Sequence, residues 1–174
     1  FYLNEKNSNI LIKLAIEQIH KIEVIKPDES IFSDFEKITE NNLYLFKKFF
    51  LEEFLEVTEL ENLKEEIDEF YSTIISELKD HPKVINHYDF ESRNLISLSE
   101  KKIGVIDFQD ALIGPLGIDL ASIFKDLYKK WTKEEILDWL DFYVENSQIV
   151  KTASLKTIEV KRMVDIASLQ RQTR

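Results

Sequence analysis

The chain has 174 residues, enough for one domain with a sizeable core, and its 44% hydrophobic content argues against disorder. It contains no cysteine, which excludes a disulfide framework and a thiolate metal site. The formal net charge of −10 argues against a nucleic-acid-binding protein, since such a protein needs a basic surface.

The sequence shows no membrane-directed segment. No apolar run approaches the length of a membrane-spanning helix, and no signal peptide is present, so we expect a cytoplasmic protein without membrane contact. The first residues lack an initiator Met, and we therefore expect the sequence to be a fragment of a longer chain.

The first half of the sequence predicts helices, because apolar residues recur every three or four positions. The predicted helices cover residues about 8–24, 34–55 and 58–80. The second is rich in Phe, and we interpret most of these rings as core. Thr58 and Glu61 have the spacing of a capping box at the start of the third helix, and Pro82 follows its end.

The centre of the sequence changes to β character. Residues 84–86 predict a short strand, and the runs 94–99 and 102–108 predict a hairpin. Helices are then predicted over about 118–130, 133–146 and 154–172, and Thr132 with Glu135 forms a second capping box. We therefore predict one domain over residues 1–174, of the α+β class, mostly helical with a small central β-hairpin.

The central region concentrates polar side chains. The stretch HYDFESRN (87–94) follows the first predicted strand, and Asp107 comes at the end of the hairpin, which returns the chain towards this loop. Two carboxylates and one amide oxygen would then converge, a donor set that suits Mg²⁺. Asn94 and Asp107 would hold the metal, and Asp89 would accept a hydroxyl proton, as in the phosphoryl transfer of kinases.

These motifs resemble the catalytic core of the aminoglycoside phosphotransferase and choline kinase superfamily, whose members share the protein-kinase-like fold. His87, Asp89 and Asn94 match the catalytic-loop motif position by position. Asp107 matches the metal-binding aspartate after the hairpin, and Asp119 matches the aspartate that braces the catalytic loop. The resemblance implies a C-terminal lobe, with the ATP-gripping N-terminal lobe of the family absent from this sequence.

A closer resemblance is to the bacterial anomeric sugar kinases, which phosphorylate the C1 hydroxyl of N-acetylmuramate and N-acetylglucosamine in cell-wall recycling. The shared patterns are D-F-x-S-R-N-L from 89, D-F-Q-D-A from 107, D-L-A-S from 119 and S-x-Q-R from 168. The resemblance implies an enzyme that binds ATP with Mg²⁺ as cofactor and an amino sugar as acceptor.

Further roles follow from the same resemblance. Ile96 and Ile106 would form the apolar floor under adenine, and His87 would pack beneath the loop and brace it. Arg93 has two interpretations that we weigh equally: a solvated loop arginine, or a contact to the acceptor or the transferred phosphate.

Three alternatives stay open. The acceptor could be an aminoglycoside or another small alcohol. The chain could also be a non-catalytic fragment or pseudokinase that serves as a binding module. Finally, Asp89 and Asn94 taken singly could be ordinary loop caps, since Asp and Asn favour turns.

Overall fold

The computed structural model describes residues 7–26, 34–57, 60–126 and 129–173. Helices dominate these ranges, and four short strands lie between the third and fourth α-helices. The α-helices are α1 (Ser8–Glu23), α2 (Phe35–Leu45), α3 (Lys64–Lys79), α4 (Ile118–Phe124), α5 (Lys133–Asn146), α6 (Gln148–Ala153) and α7 (Thr157–Gln172). The strands are β1 (Lys83–Asn86), β2 (Leu95–Ser99), β3 (Lys102–Val105) and β4 (Leu112–Pro115).

The strands form two separate antiparallel pairs. The predicted hairpin is present as β2 and β3, with Leu95 opposite Val105. Strand β1 pairs with β4, with Val84 opposite Gly114, and the sequence patterns did not predict β4. The predicted strand 102–108 is too long, because β3 ends at Val105, and Asp107 lies in the loop that follows.

The core forms where α1, α4, α5 and α7 meet. In α1, α5 and α7 the buried apolar side chains recur every three or four residues, so each of these helices presents one apolar face to the core. Helix α4 is buried on all sides. The following are at most 2% exposed: Ile16, Ile19, Leu120, Ile123, Phe124, Trp139, Leu140, Tyr143, Val160 and Ala167. Burial of each large apolar side chain stabilises the fold by about 1.5–3 kcal/mol, so this cluster is the main support of the domain.

A glycine allows α4 to approach α7 closely. Gly117 precedes α4 with a φ of +107°, a conformation that side chains disfavour. A Cβ atom at this position would lie 3.2 Å from the backbone C and O of Met163 in α7. The close approach positions the first turn of α4, which carries Asp119.

The predicted helix over 34–55 is present, but its second half is not an α-helix. The α-helix ends at Leu45 and continues as a π-helix over Phe46–Phe54. Along this segment the ring of Phe50 stacks on Phe46 at 5.0 Å and on Phe54 at 5.8 Å. Phe49, Phe50 and Phe54 are 48%, 42% and 74% exposed, so the interpretation of most Phe rings as core is wrong for this segment. Phe35 at the start of α2 is buried in the core, as expected.

The helices after the hairpin also differ in their bounds. The predicted helix over 118–130 ends as α4 at Phe124, where Asp126 turns to accept a hydrogen bond from the backbone N–H of Ser92. The predicted helix over 154–172 begins only at Thr157, since Ser154 takes a left-handed conformation after the separate helix α6.

The two predicted capping boxes have different outcomes. The box at Thr132 is confirmed, because its hydroxyl accepts from the Glu135 N–H and the Glu135 carboxylate accepts from the Thr132 N–H. Thr58 and the side chain of Glu61 lie outside the described residues. The predicted helix over 58–80 is described as a 3₁₀ turn, Leu60–Leu63, followed by α3. Within the described ranges no helix combines the length and the apolar character that crossing a bilayer requires.

We predict that Tyr143→Phe lowers the free energy of unfolding by about 1–3 kcal/mol. The Tyr143 hydroxyl lies 2.8 and 2.9 Å from the two carboxylate oxygens of Glu23, which is 7% exposed. Loss of the hydroxyl removes a hydrogen-bond donor from this buried carboxylate and one of the contacts between α5 and α1. Urea unfolding of the variant measures the effect, with Tyr44→Phe as control because Tyr44 is 58% exposed. Equal losses in the two variants would contradict the prediction.

Candidate active site

The loop after β1 is held by one buried carboxylate. Asp119 is 2% exposed, and its two oxygens accept hydrogen bonds from consecutive backbone N–H groups. The distances are 2.7 Å from the His87 nitrogen and 2.9 Å from the Tyr88 nitrogen. Tyr88 has a φ of +75°, which is uncommon for a residue with a side chain. The carboxylate therefore stabilises a strained turn directly before Asp89.

His87 ties this loop to the end of the hairpin. Its Nε2 lies 2.9 Å from the carbonyl oxygen of Ile106, and since a carbonyl only accepts, Nε2 carries the proton. The ring also meets Phe90 edge to face, with centroids 5.8 Å apart. The imidazole thus lies under the loop, with 2% of the residue exposed.

Asn94 makes the second connection between the loop and the hairpin. Its side-chain Nδ2 donates to the backbone carbonyl oxygen of Asp89 at 2.9 Å. Its backbone carbonyl oxygen accepts from the Ile106 N–H at 3.1 Å. The side-chain orientation follows from the first contact, because the Asp89 carbonyl needs a donor. Asn94 therefore keeps its Oδ1 available for a cation.

Asp107 follows Ile106, whose backbone makes the hydrogen bonds to His87 and Asn94. It is exposed and has a φ of +70°, so the backbone turns sharply at this carboxylate. The structure thus brings the backbone beside Asp107 into contact with the loop that carries Asp89 and Asn94.

The available oxygens fit a small hard cation with few protein ligands. No group of three or more His, Cys, Asp or Glu that could hold a metal occurs within the described part of the chain. The groups that could hold a cation are the carboxylate of Asp107 and the amide oxygen of Asn94. This set suits Mg²⁺, which commonly keeps several waters and takes its other ligands from substrate phosphates.

Burial perturbs the carboxyl group that supports the loop. It raises the pKa of Asp119 to about 7, while the N–H donors of His87 and Tyr88 and the charge of Arg171 lower it. The charge beneath the loop therefore changes near neutral pH.

Arg93 lies at the surface of the loop and is already paired. Its Nε is 2.7 Å from Oε2 of Glu91, and its side chain is 57% exposed. Arg171 of α7 pairs with the other oxygen of Glu91, which is 7% exposed. The role of Glu91 was not predicted, because its partner is 80 residues away and no local spacing signals such a pair.

Ile96 and Ile106 present apolar surface on the hairpin side of the site. Each is 45% exposed, and Phe108 beyond them is 73% exposed. These residues are not part of the main core, so they are available to contact a ligand or another part of the protein.

Comparisons with known sequences point to one family. A family model described as "Phosphotransferase enzyme family" matches residues 2–151. The N-acetylmuramate/N-acetylglucosamine kinase of Pseudomonas putida is 28% identical over 146 residues, which are 84% of this chain and 43% of that protein. The protein of the same name from Neisseria meningitidis serogroup B is 42% identical over 76 residues, 44% of this chain and 22% of that protein. The chain thus spans less than half the length of these curated relatives.

Solved structures confirm the predicted fold. The ethanolamine kinase of Plasmodium vivax superposes with a TM-score of 0.72 at 16% identity, over 99% of this chain and 55% of that chain. An ADP-bound aminoglycoside phosphotransferase superposes with a TM-score of 0.60 at 20% identity, over 99% of this chain and 65% of that chain.

We predict that Asp119→Asn lowers stability and removes a pH dependence. An Asn side chain has one acceptor oxygen, so one of the two N–H groups loses its partner, at a cost of about 1–3 kcal/mol. The raised pKa of Asp119 means that the native state keeps a proton between about pH 4 and pH 7 that the unfolded chain has released. The contribution of this group to the free energy of unfolding therefore falls as the pH rises through this range.

Urea unfolding of both proteins in steps from about pH 5 to pH 8 tests this sign. The stability difference between wild type and variant should shrink with rising pH, because only the wild type titrates at this position. A difference that is constant or grows with pH would contradict the raised pKa.

Proposed function

The chain belongs to the phosphotransferase enzyme family, and from this premise we propose that the complete protein is an ATP-dependent kinase. Its acceptor would be an amino sugar, phosphorylated at the anomeric hydroxyl, in the cytoplasm. The observation that carries the proposal is the double connection of the 87–94 loop to Ile106, through His87 and Asn94. It supports a site in which a proton acceptor and two cation ligands come from neighbouring segments.

Asp89 would serve as the base. It follows the turn that Asp119 holds, and its backbone carbonyl is fixed by Asn94. Its side chain borders an open cleft of about 200 Å³, so an acceptor hydroxyl can approach it. As the hydroxyl oxygen bonds to the γ-phosphorus of ATP, the bond from that phosphorus to the β–γ bridging oxygen breaks, and ADP leaves with its electron pair. The hydroxyl proton passes to the Asp89 carboxylate.

Asn94 and Asp107 would hold Mg²⁺. When bound, Mg²⁺ neutralises charge on the nucleotide phosphates. The role of the chain is to present an amide oxygen and a carboxylate in fixed backbone positions. Asn94 is 6% exposed and held at both its side chain and its carbonyl, which fixes its direction at little entropic cost on binding.

Ile96 and Ile106 would form the apolar floor under adenine. Their exposure supports this role, since a purine ring needs an accessible apolar face. Arg93 would contact the transferred phosphate or the acceptor only after giving up part of its pairing with Glu91.

The names of the relatives support the choice of acceptor. Both are kinases of N-acetylmuramate and N-acetylglucosamine, and the stretch 84–128 carries the motifs through which this chain resembles such enzymes. The presence together of Asp89, Asn94 and Asp107 argues against a non-catalytic binding module.

We predict that Asp89→Asn lowers kcat by a factor of about 10²–10⁴, because the variant has no base to accept the hydroxyl proton. The KM for ATP should change far less. Steady-state kinetics on the protein of the complete open reading frame measures both constants. Asp138→Asn serves as control, since it removes an exposed carboxylate on α5. A kcat within about threefold of wild type would remove Asp89 from the base role.

We predict that Asp107→Ala abolishes Mg²⁺-dependent binding of ATP and that Asn94→Ala weakens it less. A carboxylate contributes a full charge to the cation, whereas an amide contributes a dipole. Calorimetric titration of ATP with and without Mg²⁺ into each variant gives the two affinities, with Asp138→Ala as control. Equal losses, or the reverse order, would contradict the assigned ligands.

A further inference from the structure

A cleft of about 200 Å³ lies between the catalytic loop and the C-terminal end of α7. Asp89 borders it, so a molecule in this cleft is beside the group proposed to accept the hydroxyl proton. Ser168 and Gln172 contribute polar surface from α7. The cleft is therefore placed to receive the acceptor, and the inference below rests on the proposed function.

The charges around this cleft are unusual for a chain with a net charge of −10. Arg93 and Arg171 share the single carboxylate of Glu91, and this group of three carries one net positive charge. Lys125 adds a third cation to the lining. Asp89 is the other carboxylate among the lining residues, so cations outnumber anions.

The two arginines and the lysine differ in their freedom to bind a ligand. The side chain of Arg171 is 13% exposed and is held by Glu91, which fixes it as part of the wall. Lys125 is exposed at the end of α4, and its ammonium group makes no hydrogen bond or ion pair with a described residue. It is the lining cation that can pair with a ligand without breaking an existing contact.

We propose that this cleft binds an acceptor sugar that bears a carboxylate, with Lys125 as the residue that pairs with it. The fixed positive charge of the Arg–Glu–Arg group favours the same anion. Lys125 is positive and attracts the carboxylate of the sugar, whereas Asp89 is negative and faces the acceptor hydroxyl. These opposite charges orient the sugar with its acid end towards Lys125 and its hydroxyl towards the base.

Size and charge disfavour a polycationic aminoglycoside in this cleft. Its volume of about 200 Å³ is below the range of about 300–1,000 Å³ typical of drug-sized ligands, and suits one sugar ring. The several ammonium groups of an aminoglycoside would be repelled by Lys125 and the two arginines. The transferred phosphate is the other anion that these cations could serve, and the experiment separates it from the acceptor.

The test compares two acceptors that differ by one acidic group. N-acetylmuramate carries a lactyl carboxylate, and N-acetylglucosamine is the same amino sugar without it. The values of kcat/KM for both are measured with the protein of the complete open reading frame, as wild type, Lys125→Gln and Lys125→Glu. Lys151→Gln is the control, because it removes an exposed lysine on α6.

We expect the ratio of kcat/KM for the acidic to the neutral sugar to fall about tenfold or more in Lys125→Gln. It should fall further in Lys125→Glu and stay near the wild-type value in Lys151→Gln. The change should appear as a raised KM for the acidic sugar and should weaken at high ionic strength, because salt screens the exposed lysine.

Two results would overturn the inference while leaving the proposed function intact. In one, the sugars are phosphorylated, but the ratio of kcat/KM for the acidic to the neutral sugar is the same in wild type and in the Lys125 variants. The other is a rise in the KM for ATP in the Lys125 variants as large as the rise in the KM for the acidic sugar, which would show that Lys125 pairs with phosphate. If neither sugar is phosphorylated, the proposed function itself fails.

Discussion

The site depends on one buried carboxylate, that of Asp119, and the two backbone N–H groups it accepts from. Without this acceptor the N–H groups of His87 and Tyr88 would be buried and unpaired, at a cost of about 1–3 kcal/mol each. The same contact holds Tyr88 at a φ of +75°, which sets the direction of the chain into Asp89. Gly117 favours the arrangement, because a Cβ atom at this position would lie 3.2 Å from the backbone of Met163 and would push α4 and α7 apart, and because its φ of +107° disfavours a side chain.

From this anchor the loop is tied in two further directions. His87 and Asn94 reach the backbone of Ile106, next to Asp107, and Glu91 reaches Arg171 on α7. The proposed base and cation ligands are therefore held by three elements that come from distant parts of the sequence. Such support reduces the reorganisation that phosphoryl transfer would require, since positioning and electrostatics supply most of its catalysis.

Local patterns predicted those parts of the fold that depend on local contacts. The α1 stripe, the Thr132 capping box and the β2–β3 hairpin each arise within a few residues, and the motif spacing around Asp89 identified the family. Strand β4 was missed because its pairing with β1 is long-range and its run contains Gly114 and Pro115. The pair of Glu91 with Arg171 and the exposure of Lys125 likewise depend on tertiary packing, which periodicity does not report.

The central claim is that this loop serves phosphoryl transfer from ATP to the anomeric hydroxyl of an amino sugar. Phosphorus NMR on the protein of the complete open reading frame, with ATP, Mg²⁺ and either N-acetylmuramate or N-acetylglucosamine, tests it most directly. With at least one of the two sugars we expect ADP and a new phosphate monoester resonance coupled to the anomeric proton of the sugar. ATP left unconsumed with both sugars would contradict the kinase assignment, and a phosphate coupled to any other ring or side-chain proton would contradict the anomeric position.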